Sequence, residues 1–539
     1  MKKIIAIILA LAVMMCLSVS AFAEDATLTI ENSEGRTYVG YRLLDLTTSL
    51  KTGSHHPENC DGVNHADDCY NFAYTVNAKY RAILQAEVFA NGGNYLWTDA
   101  GKPASAAGIT DDQILKYLSN QTSDNGDVYN TMRQVADRLY IAIIAENIEA
   151  DEANLTGNAD TIAQGYWMFA DVSELDGNEA NSLVMVDTKG QNELTITPKT
   201  ALPTVEKKVK DIDDSEDDRI ADNAWHDSAD HDIGDTVPFK LTATLPINAL
   251  HYQSYTIIFH DSLSNGLTLN EGSIKVYMYD TVYKANVDTD VNDYAKDVTA
   301  NFFVKTADLT DDCSFEVGCA NIFAIEGVTK DTAFVVYYEA TLNESAVIGA
   351  AGNPNEVYLE FSNNPYGDGT GNTETDKVTV FTYQLIINKT DSHGHALKGA
   401  GFTLYKKNLA GEFVAIGEEL KGDDMTTFNW KGLDDGDYKL EETTVPAGYN
   451  KMSDITFSIS AVHSETDGEP QLISLDGGQM GTGVVDTGAI VKDIVNNTGS
   501  VLPETGAMGT FLLISGGALL AALAVIFMVT RKKMSIYED

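Results

Sequence analysis

From about residue 204 onward the chain consists of short β-branched or aromatic runs. "TVPFKLTATLPI", "YTIIFHD", "IKVYMYD", "TAFVVYYEATL" and "EVYLEFSNN" are separated by Gly, Asn and Asp. Runs this short, alternating in hydrophobicity and bounded by turn residues, bury their apolar side only when two sheets pack face to face. The stretch "NPYGDGTGNTETD" splits the region into a first sandwich, 201–375, and a second, 376–498. Upstream, residues 24–200 mix the two periodicities. "ATLTI", "SLVMV" and "ELTIT" read as strands, while Val128, Met132, Val135, Leu139 and Ile143 recur at helical spacing. The predicted fold class is therefore mainly β: a mixed α/β N-terminal domain followed by two β-sandwiches in tandem.

The ends carry a different kind of information. Residues 1–23 combine Lys2 and Lys3, an apolar stretch and Ala21-Phe22-Ala23, the layout of a secretory signal. Near the other end, within 499–539, Phe511 to Thr530 carries no charge and is long enough to cross a bilayer, and Arg531, Lys532 and Lys533 follow it. The whole chain has 36 basic and 80 acidic residues, and trimming both ends makes the remainder more acidic still. Such a surface repels polyanions, which excludes nucleic acid as a partner.

Outside the cell, cysteines in close pairs read as disulfides, here Cys60–Cys69 and Cys313–Cys319. His55, His56 and His65 beside the first pair leave a zinc site open as the alternative, although the spacing fits no standard zinc pattern. No metal or other cofactor is expected. There is no HExxH, phosphate loop or Ser-His-Asp grouping to suggest an enzyme.

Four features of the chain resemble one family. Leu502-Pro503-Glu504-Thr505-Gly506, the apolar span and the basic tail together resemble the cell-wall sorting signal of Gram-positive surface proteins. The resemblance implies that a sortase cleaves between Thr505 and Gly506 and passes the Thr505 carbonyl to an amine, with peptidoglycan as the final anchor. "YKLEETTVPAGY" resembles the pilin E box through Tyr438, Leu440, Glu442, Thr443, Pro446, Gly448 and Tyr449. That implies an immunoglobulin-like, collagen-adhesin B-type domain in which a first-strand Lys and a last-strand Asn form an isopeptide bond assisted by the Glu. The first sandwich is similar to the isopeptide-forming middle domain of Spa-type major pilins, whose assisting aspartate corresponds to Asp261.

Strand alternation then selects individuals. Val205, Lys207 and Val209 share a face, favouring Lys207 over Lys208; Val357, Leu359, Phe361 and Asn363 favour Asn363 over Asn364. In the second sandwich Leu385, Ile387 and Lys389 align, as do Lys492, Ile494 and Asn496, with Asn497 an alternative. The chemistry needs these residue types. A desolvated lysine loses its proton and becomes a nucleophile, while a buried carboxyl holds a proton to donate. "NELTITPKT" resembles the pilin motif, which makes Lys199 the amine that accepts the next subunit's Thr505, although the family's Tyr, Asn and Trp are absent here. The resemblance as a whole implies the backbone subunit of a covalent surface pilus, with sortase and neighbouring pilin subunits as partners. A monomeric wall-anchored adhesin or an accessory pilin is the alternative.

Overall fold

The computed structural model describes residues 25–122 apart from 51–69 and 98–100, 131–198 apart from 176 and 190, 201–212, 225–464 apart from 287–290, 469–499 and 508–534. These residues fall into two compact units. The first takes in the chain up to Thr382 together with His463–Ile473, and the second starts at Tyr383.

In the N-terminal part, the expected strands form as Ala26–Ile30, Leu183–Asp187 and Glu193–Ile196. Ala26–Ile30 pairs parallel with Glu193–Ile196 and antiparallel with Asp160–Ile162. A second sheet, built on Tyr38–Leu50 and Gly165–Asp171, buries its face against three helices: Arg81–Asn91, Asp111–Ser119 and Thr131–Ala145. The helical periodicity is realised in Thr131–Ala145, which buries Val135, Leu139 and Ile143. Val128 lies outside the described residues.

The middle sandwich is two seven-stranded sheets. One holds Thr204–Lys210, Thr236–Thr244 and Ala333–Leu342 side by side; the other holds Ile257–Leu263 between Asn353–Ser362 and Phe315–Cys319. Alternation places Phe239, Leu241, Phe259, Val336, Leu359 and Phe361 in the shared core. The boundary expected between 375 and 376 moves to follow Thr382. Asp376–Phe381 pairs antiparallel with Asn353–Ser362, so its apolar residues Val378 and Val380 complete the middle core. The division expected near residue 200 marks a change of sheet within one compact unit.

A buried polar knot explains why that unit is continuous. Asp137, on the Thr131–Ala145 helix, accepts from Arg133 Nε at 3.0 Å and from the Tyr366 hydroxyl at 2.5 Å, and bonds the His251 ring. Tyr366 also packs edge-on against Tyr140. His251 and Tyr366 belong to the middle sandwich's loops, so charge and aromatic contacts bind helix to sandwich.

The C-terminal unit pairs Tyr383–Asp391 with Thr427–Leu433 and, in parallel, with Ala489–Asn496. A facing sheet is centred on Gly401–Lys407 and Gly436–Thr444. The helix Met508–Met534 contains an apolar span, Leu513–Arg531, with mean hydropathy 2.3, long enough to cross a membrane. Asp137→Ala should strip the buried Arg133 guanidinium of its carboxylate and cost the first unit about 3–5 kcal/mol. The fall would be read from its chemical-unfolding midpoint, and a loss below about 1 kcal/mol would show that the knot does not hold the unit together.

Candidate functional site

Lys207 is where strand alternation placed it, facing inward from Thr204–Lys210, and it is fully buried. Its Nζ donates to Asp261 Oδ2 at 2.5 Å, to the Tyr338 hydroxyl at 3.0 Å and to the Glu356 carbonyl at 3.4 Å. Lys207 and Tyr338 come from one sheet, while Asp261 comes from the other, so the group closes across the sandwich core. Tyr338 donates to Asp261, 2.9 Å from Oδ2, and accepts from Asn355 Nδ2 at 2.7 Å. Phe239 and Tyr338 flank the amine, their ring centroids 5.7 and 5.6 Å from Nζ. Burial pulls the Lys207 amine down to about 8, against the opposing pull of Asp261, and burial likewise pushes the Asp261 carboxyl up. Lysine and acid are thereby drawn towards the neutral pair that amide formation requires.

The asparagine beside this pair is Asn355, and the expectation of Asn363 is corrected. Asn355 lies on the inward face of Asn353–Ser362, and Asn363 continues the same alternation just past that strand's end, eight positions on, a span of roughly 27 Å at strand rise. Register decides between them. Asp261 sits opposite Val357, so Asn355 is its next same-face neighbour, whereas Asn363 lies beyond the strand end. Asn363 is instead occupied by the Gly369–Thr370 turn, donating from Nδ2 to the Thr370 carbonyl at 3.0 Å. Asn355 is fully buried, with Nδ2 on the Tyr338 hydroxyl and Oδ1 without a hydrogen-bond partner. The signal for Asn355 is present in "NPNEVYLEF", where it alternates with Val357 and Leu359; Tyr338 has no comparable signal. Lys208 points to the other face and pairs with Asp227.

In the C-terminal sandwich Lys389, Glu442 and Asn496 are all buried. Asn496 Nδ2 donates to Glu442 Oε1 at 2.6 Å, while Met452 N–H donates to Oε2 at 2.9 Å. Lys389 lies opposite Ile494 in the parallel pair and donates to the Ile494 and Thr390 carbonyls, both at 3.0 Å. Burial lowers its pKa, with Glu442 and Asp391 opposing. Asn496 Oδ1 is again a buried acceptor without a partner. The alternative Asn497 is exposed and accepts from Asn450 N–H through its backbone carbonyl.

The Cys313–Cys319 disulfide is corrected. Both thiols are free. Cys319 ends the Phe315–Cys319 strand with its thiol in the apolar core, whereas Cys313 lies on the outer face of the same sheet beside His260, so the two thiols face opposite sides. Cys60, Cys69 and the histidines beside them, Lys199, and Leu502 to Gly506 lie outside the described residues.

Three family models match this chain. A prealbumin-like fold domain (SpaA) covers 383–469, the Cna-B-like domain of Gram-positive pilin backbone subunit 2 covers 233–365, and the LPXTG cell wall anchor motif covers 494–535. The trypsin-resistant surface T6 protein of Streptococcus pyogenes serotype M6 is 24% identical over 426 residues, 63% of this chain and 70% of that one. Among solved structures, the T6 backbone pilin of the same serotype aligns at 16% identity, covering 88% of this chain and 99% of its own, with a TM-score of 0.47. The full-length major pilin SpaD of Corynebacterium diphtheriae aligns at 18% identity over 64% and 83%, with a TM-score of 0.38. The modules define a cell-wall-anchored surface protein of Gram-positive bacteria. Within that class, the chain carries at its centre a Cna-B-like domain of the Gram-positive pilin backbone type, followed by a prealbumin-like domain.

In Asn355→Ala the Lys207 amine stays free. Its folded pKa of about 8 lies below the ordinary value of 10.5, so the folded state sheds the proton first as pH rises. The variant's stability should therefore climb between about pH 8 and pH 10.5 and level off above. Denaturation midpoints across that range check it, and a flat profile would contradict a free, desolvated amine.

Proposed function

We propose that this chain is the shaft subunit of a covalent surface pilus, joined subunit to subunit by sortase and locked within each sandwich by a Lys–Asn isopeptide bond. The observation that carries the internal bonds is the pair of buried groups, Lys207–Asp261–Asn355 and Lys389–Glu442–Asn496. In each, a lysine, a carboxyl and an asparagine are held together without solvent. The neutral Nζ attacks the asparagine side-chain carbonyl carbon, forming the new C–N bond. The C–N bond to the amide nitrogen breaks as that nitrogen takes one proton from the carboxyl and leaves as ammonia, and the attacking nitrogen gives up one proton to restore the carboxyl. In the middle sandwich Tyr338 bridges Asp261 and Asn355, a route by which the proton can pass.

Between subunits, sortase carries the Thr505 carbonyl to an amine, for which Lys199 is the candidate by its motif. The finished polymer is then transferred to peptidoglycan. Closing loops of about 150 and 110 residues would each remove unfolded-state entropy worth about 5 kcal/mol by analogy with disulfides. Under tension the amides matter more, because the strands inside each closed loop cannot be drawn out while the amide holds.

Intact mass tests the internal chemistry. The wild-type chain, corrected for processing of its ends, should weigh about 34 Da less than its sequence, one ammonia per bond. Asn355→Ala and Glu442→Ala should each leave only the other sandwich's loss, while Asn363→Ala should keep both. An unmodified wild-type mass, or one bond lost in Asn363→Ala with Asn355→Ala unaffected, would overturn the assignment.

Boiled wall extracts test the polymer. The wild type should give a ladder of covalent multimers, and Lys199→Ala should abolish it while monomer remains wall-bound. A single band from the wild type would point to a monomeric adhesin, and a ladder persisting in Lys199→Ala would move the linkage to another lysine.

A further inference from the structure

Because Asp261 points into the middle sandwich, its neighbour His260 points out of the opposite face of the same sheet. On that face His260 sits directly across from Glu316 on one neighbouring strand and from Tyr358 on the other. The segment leading into the Phe315–Cys319 strand folds over this row and brings Asp311 and Cys313 down onto it. His260 Nδ1 is then 2.9 Å from Asp311 Oδ2, 3.9 Å from Cys313 Sγ and 4.0 Å from Glu316 Oε1. All four donor atoms lie within 4.8 Å of one another. His260, Cys313 and Glu316 are buried, and only Asp311 is partly open to solvent.

We propose that His260, Asp311, Cys313 and Glu316 form a binding site for a divalent transition metal of zinc type on the outer face of the middle sandwich. One imidazole nitrogen, one thiolate and two carboxylate oxygens make a borderline-soft donor set that suits Zn2+ and is foreign to Ca2+ or Mg2+. Zinc bonds of ~2.0–2.3 Å place tetrahedral donors about 3.3–3.8 Å apart, so two of the three separations from His260 need only a slight contraction. The outer groups fit as well. Glu360 Oε2 lies 3.3 Å from His260 Nε2, where a carboxylate would orient a metal-bound histidine. Tyr358 stacks on the imidazole at 4.5 Å and donates to Asp311, and Lys305 approaches Glu316 at 3.5 Å.

The two unpaired cysteines also differ in their surroundings. Cys319 is part of the apolar core, whereas Cys313 is held among these polar ligands. A free thiol in a chain bound for an oxidising exterior calls for such a partner. Binding releases the thiol proton and leaves His260 neutral, its remaining N–H on Nε2 directed at Glu360.

The test uses the full chain carrying Cys60→Ser and Cys69→Ser, which silences the other His/Cys segment, stripped with chelator and loaded with Co2+ as a spectroscopic probe. One equivalent should bind with a thiolate-to-cobalt charge-transfer band and tetrahedral visible bands, and Zn2+ should displace it. Cys313→Ser in that background should lose the charge-transfer band, and Glu360→Gln should weaken Zn2+ binding about 10- to 100-fold. Absence of a thiolate band before Cys313 is changed, or its persistence in Cys313→Ser, would overturn the site. If Cys313→Ser does not fold, the band in the parent chain, with Cys313 blocked against alkylation only when Zn2+ is present, decides the matter. Alkylation of Cys313 at the same rate with and without Zn2+ would count against the site.

Discussion

Each sandwich is organised around a lysine amine that has lost its water. Removing a charged ammonium from solvent costs several kcal/mol even after relaxation, more than an average buried leucine returns. A fold can carry that cost only by supplying a carboxylate, by neutralising the amine or by consuming it. Lys207 has the first in Asp261 and is pushed towards the second by burial. The nearby asparagine makes the third possible. Much of the local architecture serves this group. Phe239 and Tyr338 exclude water, Tyr338 bridges acid and amide, and strand register sets which asparagine lies within reach. The C-terminal sandwich reaches a similar end differently, with Glu442 gripping Asn496 while Lys389 is held by carbonyls.

The sequence shows this only in part, and the failures have physical causes. A period of two identifies which face a strand residue takes, so Lys207 over Lys208 and Asn496 over Asn497 were legible. It says nothing about position along the strand. Asn355 and Asn363 share a face, and only the pairing of Asp261 with Val357 separates them. The same blindness affects the cysteines: closeness in sequence suggests a bridge, but Cys319 faces the core while Cys313 lies with His260 on the outer face. Near 375 a cluster of Gly and Asn reads as a domain boundary. That cluster proved to be a turn inside the middle sandwich, because Asp376–Phe381 still had a core to complete.

His260 and Asp261 show how one strand can serve two chemistries. Adjacent residues face opposite sides of a sheet, so an acid committed to the core adjoins an imidazole committed to the outer surface. The sequence "FHD" carries no motif for this. It emerges only when Glu316 and the Asp311–Cys313 segment are brought alongside.

The two clasps differ in where they fall along the chain. In the C-terminal sandwich Asn496 ends the last strand, so a closed Lys389–Asn496 amide would place almost the entire domain outside the line of force. Roughly 350 Å of hidden contour length could then never be paid out. In the middle sandwich the amide would join Lys207 to Asn355, with the rest of that strand and Asp376–Phe381 still to come before the chain reaches Tyr383. Those residues are held by sheet hydrogen bonds and by contacts such as the Lys207 N–H donating to Asp376. With both amides closed, a fibre of such subunits would be stiff but not wholly inextensible: each would carry one short, reversible slack segment of about 90 Å beside a covalently closed core.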